Sequence, residues 1–171
     1  MEHSKNFYKV TSAIVQARGS NYSVIDTGVV TTVDTIYLSY NFLGECVVKN
    51  NIDLSFLVNT AQAWSCKCDG CGEKGLKHKV EAISISSDSV YNNIPANQPL
   101  NSLFKFYTGP ASSLPFDSIM PYLNRPGGPY YGTDIFITQK PVDAKGHIFK
   151  LSIRYADGQT LFTDTRRITW M

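Results

Sequence analysis

The chain has 171 residues, 43% of them hydrophobic, 12% aromatic and 18% charged, with a formal net charge of +2. That length suits one domain with a proper core, and that hydrophobic content excludes a disordered chain. A nearly neutral sequence with no basic run has little attraction for nucleic acid or anionic lipid, and no stretch reaches the ~20 apolar residues that span a bilayer.

The opening MEHSKNFYKV carries no apolar h-region and no cleavage pattern. This leaves two readings, a cytosolic protein or the mature part of an exported one. FYKVTSAIV (7–15) reads as a strand, with turn residues from Arg18 to Asn21 after it. TIYLSYNF (35–42) alternates with period two, placing Ile36, Leu38 and Tyr40 on one face and Tyr37, Ser39 and Asn41 on the other. ECVVKN and LSFLVNTAQAW (54–64) continue the strand pattern, and KVEAISISS (79–87) predicts a half-buried strand through Val80, Ala82, Ile83 and Ile85. LNSLFKFY (100–107) fits a short helical turn or a strand entry. In LPFDSIMPYL (114–123) one helical turn is expected to stop at Pro121. Residues 108–132 read as a long Pro-, Gly- and aromatic-rich excursion. DIFITQ, HIFKLSIRYA and QTLFTDTRRITW then follow. The last two predict a hairpin across Asp157-Gly158, with a type I′ turn and Phe149, Leu151, Ile153 and Tyr155 facing the core.

Short strands separated by turns, with scarcely any amphipathic helix, predict an all-β fold. The expectation is one antiparallel β-sandwich domain over residues 1–171, immunoglobulin-like, with the excursion attached. The Trp-and-Cys framework of antibody domains is not matched, since Trp64 lies two residues from Cys66.

Three of four cysteines crowd into WSCKCDGCGEKG (64–75). As a metal knuckle for zinc or copper, Cys66, Cys68 and Cys71 supply three ligands and His78 or Cys46 a fourth, although C-x-C is a cramped bite for zinc. As a redox dithiol, Cys68 and Cys71 lack the helix start that lowers a thiol's pKa, because Gly-Glu-Lys-Gly follows. The favoured reading is structural, with no cofactor. Cys46 joins one of the three, and hairpin pairing of 43–50 with 54–64 would bring it to Cys66 or Cys68, leaving Cys71 to close a local loop.

None of the tested catalytic motifs is present, and His3, His78 and His147 are isolated in sequence. A non-enzymatic protein is expected, with the reservation that triads assemble in space rather than in sequence. The excursion supplies the binding candidates. Phe116, Tyr122, Arg125, Tyr130 and Tyr131 suit an aromatic platform for sugar rings or an extended peptide, against the alternative that these rings pack back onto the sandwich.

NTAQAWSCKCDGCGEKGLKHKVEAISISSDSVYN, NQPLNSLF and the terminal GHIFKLSIRYADGQTLFTDTRRITW together resemble a family of Bacteroidetes cell-envelope lipoproteins of unknown function. The resemblance covers residues 54–107 and 147–170. It implies export, a lipidated N-terminal cysteine as the only membrane attachment, and an outer-membrane location facing periplasm or surface. No lipobox stands near Met1, which departs from the family. The expected protein is a monomeric module that binds a glycan, a peptide or another envelope protein.

Overall fold

The computed structural model describes residues 7–19, 30–31, 35–47, 71–109, 112–128, 132–143 and 145–170. In chain order the elements are β1 (Phe7–Arg18), β2 (Val30–Thr31), β3 (Ile36–Val47), β4 (Val80–Ser87), β5 (Phe104–Gly109), β6 (Ser112–Pro115), α1 (Ile119–Asn124), β7 (Gly132–Ile137), β8 (Phe149–Tyr155), β9 (Thr160–Asp164) and β10 (Thr169–Trp170). Five strands form one antiparallel sheet in the order β1-β3-β7-β5-β6, and three form a second in the order β4-β8-β9. Leu38, Phe106, Ile135 and Ile137 of the first sheet share one core with Ile85, Phe149, Leu151 and Ile153 of the second. This is the expected all-β antiparallel sandwich of two sheets. Among the described residues no helix is long and apolar enough to cross a membrane.

The alternation read from 36–42 and 148–155 holds: Ile36, Leu38, Tyr40, Phe149, Leu151, Ile153 and Tyr155 are all buried. Where the pattern slips, a bulge is responsible. The β4–β8 register shifts between Val80 and Ala82, so Val80, Ile83 and Ile85 share a face despite their uneven spacing. A second shift lies between Val10 and Ser12 of β1.

Four expectations change. The two segments 35–42 and 45–50 are one strand as far as Val47, continuous through Gly44, where a Cβ would strike the Lys9 carbonyl. The 157–158 turn is not type I′, because only Gly158 has positive φ (85°). The Gly158 N–H donates to the Tyr155 carbonyl and the Tyr155 N–H to the Gln159 carbonyl, which makes a type I turn followed by a left-handed glycine. Pro121 does not stop α1, since it is the third helical residue and the first four N–H groups of a helix have no internal partner anyway. Finally, QTLFTDTRRITW is not one strand: β9 ends at Asp164, and β10 pairs in parallel with β2. The excursion also contains structure of its own, with β6 pairing on β5 and α1 burying Ile119 and Leu123.

The free edge of β4 is occupied by two asparagines. Asn101 accepts from the Ile85 N–H and donates to the Ile83 carbonyl, while Asn124 does the same for Val80 N–H and C=O. Side-chain amides thus stand in for a neighbouring strand and blunt the edge against pairing with another chain.

Asp88, just beyond β4, ties that edge to the C-terminus. It accepts from the Ile148 N–H (2.8 Å), from Arg167 Nη2 (2.6 Å) and from the Ser89 hydroxyl (3.3 Å). Desolvation acts to raise its carboxyl, but the Ile148 N–H, the Arg167 guanidinium and the Ser89 hydroxyl together hold it below the usual aspartate value. A carboxyl lowered in the folded state stabilises the fold above about pH 4 and loses that effect as pH falls through the folded value. Asp88→Asn is expected to lower stability by about 1–2 kcal/mol at neutral pH and much less in acid. Urea midpoints at neutral and acid pH check this, and equal losses at both would contradict it.

Candidate functional site

Residues paired directly across antiparallel strands share a face. In this sheet the pairs Arg18–Tyr37, Tyr37–Phe136, Phe136–Lys105 and Lys105–Pro115 make one row across the outward surface. Gln16–Ser39 and Ser39–Asp134 make the next row, and Ile14–Asn41 with Asn41–Gly132 a third. Tyr107, two residues on from Lys105, joins the same face.

Tyr37, Phe136 and Tyr107 are packed together there. Ring centroids lie 4.7 Å apart for Tyr107 and Phe136, 5.7 Å for Tyr37 and Phe136, and 6.0 Å for Tyr37 and Tyr107. The interplanar angles run from 19° to 41°. Phe136 is buried and the two tyrosines are half-buried. Beside them the Ser39 hydroxyl donates to Asp134 Oδ1 at 2.5 Å, which fixes that carboxylate. A surface depression lined by Tyr40, Asn41, Gly132, Thr133 and Asp134 continues the site. Gly132 sits at φ 137°, and a Cβ there would run into the Tyr40 carbonyl, so glycine is what lets β7 lie this close to β3.

The platform expected in the excursion is not what the described residues form. Phe116 is fully buried in the core. Tyr122 has Phe106 at 5.1 Å and the Arg125 guanidinium 4.1 Å from its ring, so its aromatic surface is already used by the protein. Tyr130 and Tyr131 lie outside the described residues. The outward trio is not visible from the sequence reading, although its first member, Tyr37, falls with Ser39 and Asn41 on the face of 35–42 opposite Ile36, Leu38 and Tyr40. The available signal was an aromatic in the outward register of each of 35–42, 104–109 and 132–137.

Cys46 is bridged to Cys71, not to Cys66 or Cys68, with Cα atoms 5.5 Å apart. The turn starting at Cys71 then runs along the edge of β1, where the Tyr8 N–H donates to the Gly75 carbonyl and the Lys77 N–H to the Tyr8 carbonyl. Cys66, Cys68 and the expected hairpin of 43–50 with 54–64 fall on or reach into residues outside those described. His78 faces Asp157 at 3.5 Å. Among the described residues no three His, Cys, Asp or Glu side chains are grouped to hold a metal.

One constellation was invisible in sequence. The His147 ring has Ser87 Oγ 3.0 Å from Nδ1 and Asp143 Oδ1 3.3 Å from Nε2. With the proton on Nε2, the imidazole donates to Asp143 and accepts from the Ser87 hydroxyl, and Ser87 in turn accepts from the Ser89 N–H. This is not the arrangement of a hydrolytic triad, whose hydroxyl must face a substrate. Ser87 and His147 are buried, and Tyr91, Phe149 and Trp170 rings pack around the imidazole at 5.0–6.3 Å. The set fastens the 138–147 connection to the end of β4.

Neither a protein-family model nor a curated protein matches the chain. Two solved structures are similar, one described as wild-type BspA C and one as the C-terminal domain of the AgI/II polypeptide BspA of Streptococcus agalactiae. Each is 11% identical over 91% of this chain, with a TM-score of 0.33. This chain spans about half their length, 50% and 49%. A likeness that distant carries no argument about function.

Proposed function

We propose that this chain is a non-enzymatic binding module of the bacterial cell envelope whose outward sheet face takes a carbohydrate. The single observation that carries the binding reading is the Tyr37–Phe136–Tyr107 cluster. The outward face of an antiparallel sheet is ordinarily polar, whereas here the half-buried Tyr37 and Tyr107 flank the buried Phe136 and bring apolar ring surface to it. Asn41 alongside, and the carboxylate of Asp134 that Ser39 fixes, supply polar groups that orient hydroxyl groups. The envelope location rests on the sequence resemblance to Bacteroidetes lipoproteins, and the Cys46–Cys71 bridge is in keeping with an oxidising compartment. The non-enzymatic reading is supported by the closed packing around Ser87 and His147. The rival, a zinc or copper knuckle, rests on the C-x-C-x-x-C spacing and needs the bridge opened before Cys71 can act as a thiolate.

Titration against an oligosaccharide panel, followed by protein fluorescence, tests this. Tyr37→Ala and Tyr107→Ala are each expected to weaken binding by about tenfold, the scale of one aromatic contact with its buried area. Unchanged binding in the double variant, with the wild-type melting curve retained, would remove this face from the account.

A further inference from the structure

We infer that the saccharide held by this face is acidic, a sugar carrying a carboxylate such as a uronic or sialic acid. The inference rests on the carbohydrate reading above and adds the charge of the ligand.

The aromatic row is flanked by cations, Arg18 beside Tyr37 at one end and Lys105 beside Phe136 at the other. Among the described residues neither has a carboxylate partner. Arg18 Nη2 donates to the neutral amide oxygen of Gln16 at 3.2 Å, and its buried Nε has no hydrogen-bond partner among the described residues. A guanidinium whose described partner is only a neutral amide keeps its charge uncompensated, and a planar carboxylate is the group whose geometry matches its donor fork. The one acid in the neighbouring row, Asp134, is committed to Ser39. It stands two strands and two residues from Arg18, roughly 12 Å away by strand spacing. At physiological salt that exceeds the screening length of about 8 Å. Arg18 and a carboxylate on the ligand would therefore meet without interference, while Asp134 faces hydroxyl groups at the other side of the ring.

The test uses matched pairs that differ only in the charge. Tetragalacturonate is compared with its methyl ester, and sialyllactose with lactose, at low and high salt, against the wild type, Arg18→Gln, Arg18→Lys and Lys105→Gln. The acidic member of at least one pair is expected to bind about tenfold or more tighter than its neutral partner, with Arg18→Gln removing that difference and Arg18→Lys restoring only part of it. Equal binding of charged and neutral members overturns the acidic inference and leaves the carbohydrate reading standing. Binding of no saccharide overturns both. Polyglutamate is included, and its binding in place of the sugars would show that Arg18 reads acidic peptide and would also overturn the proposal. Circular dichroism of each variant confirms that the fold is kept.

Discussion

Removing the Cys46–Cys71 bridge lowers the unfolding free energy by about 3–4 kcal/mol, the chain-entropy value for a closed loop of this size. The bridge spans 25 residues of sequence and holds the turn at 71–74 against β3. Without it, the two hydrogen bonds that lay residues 75–77 along Tyr8, the burial of Leu76 and the Lys74 contact with Phe7 have to order that segment. For a chain of this length the loss corresponds to about 7–14 °C in melting temperature. Denaturant midpoints of the Cys46→Ala/Cys71→Ala double variant measure it, with Cys66→Ala and Cys68→Ala as the comparison. Peptide mapping of the unreduced protein should recover Cys46 joined to Cys71. A double variant within 1 kcal/mol of the wild type would contradict the bridge as the main fastening of this region.

Alkali should be the second strong perturbation. Tyr40, Tyr91 and Tyr155 are 1%, 0% and 3% exposed. Burial pushes all three phenols well above their ordinary value, with the Asp164 carboxylate adding to Tyr40 and that of Asp157 to Tyr155. Tyr91 also donates its proton to the Gln139 carbonyl at 2.5 Å, a bond that ionisation would end. In the unfolded chain these groups ionise near pH 10, whereas the folded state keeps the protons. Stability is therefore full below about pH 10 and falls above it, by about 1.4 kcal/mol per pH unit for each tyrosine, or about 4 kcal/mol in all at pH 11. Unfolding midpoints across this range, read beside the phenolate absorbance, check the slope. A flat profile would mean the three phenols ionise without unfolding. Tyr40→Phe gives a sharper test, because its buried hydroxyl has no hydrogen-bond partner among the described residues. The variant should be at least as stable as the wild type at neutral pH and show about two-thirds of the alkaline slope.

What the residues disclosed in advance was whatever period two alone decides. Tyr37, Ser39 and Asn41 were assigned to one side of β3 and Phe149, Leu151 and Ile153 to the core, and both assignments hold because successive side chains in a strand must alternate. What stayed hidden depended on pairing between distant segments. Tyr37, Tyr107 and Phe136 become one cluster only once β7 is inserted between β3 and β5, and local alternation says nothing about strand order. The same holds for Ser87 with His147, sixty residues apart in the chain. The choice of Cys71 as the partner of Cys46 is likewise a matter of connectivity that spacing leaves open. Pro121 misled for a different reason. Its effect depends on its place in the helix, and two residues before it the chain has already begun the helical turn.

The outward aromatic face is the centre of the account, and chemical-shift mapping addresses it most directly. Amide and aromatic resonances of labelled protein are followed while tetragalacturonate or sialyllactose is added. Saturable shifts are expected at Tyr37, Tyr107, Phe136, Asn41 and Arg18, with Phe116 and Tyr122 unmoved. Shifts confined to the α1 region, or none at any ligand concentration, would contradict it.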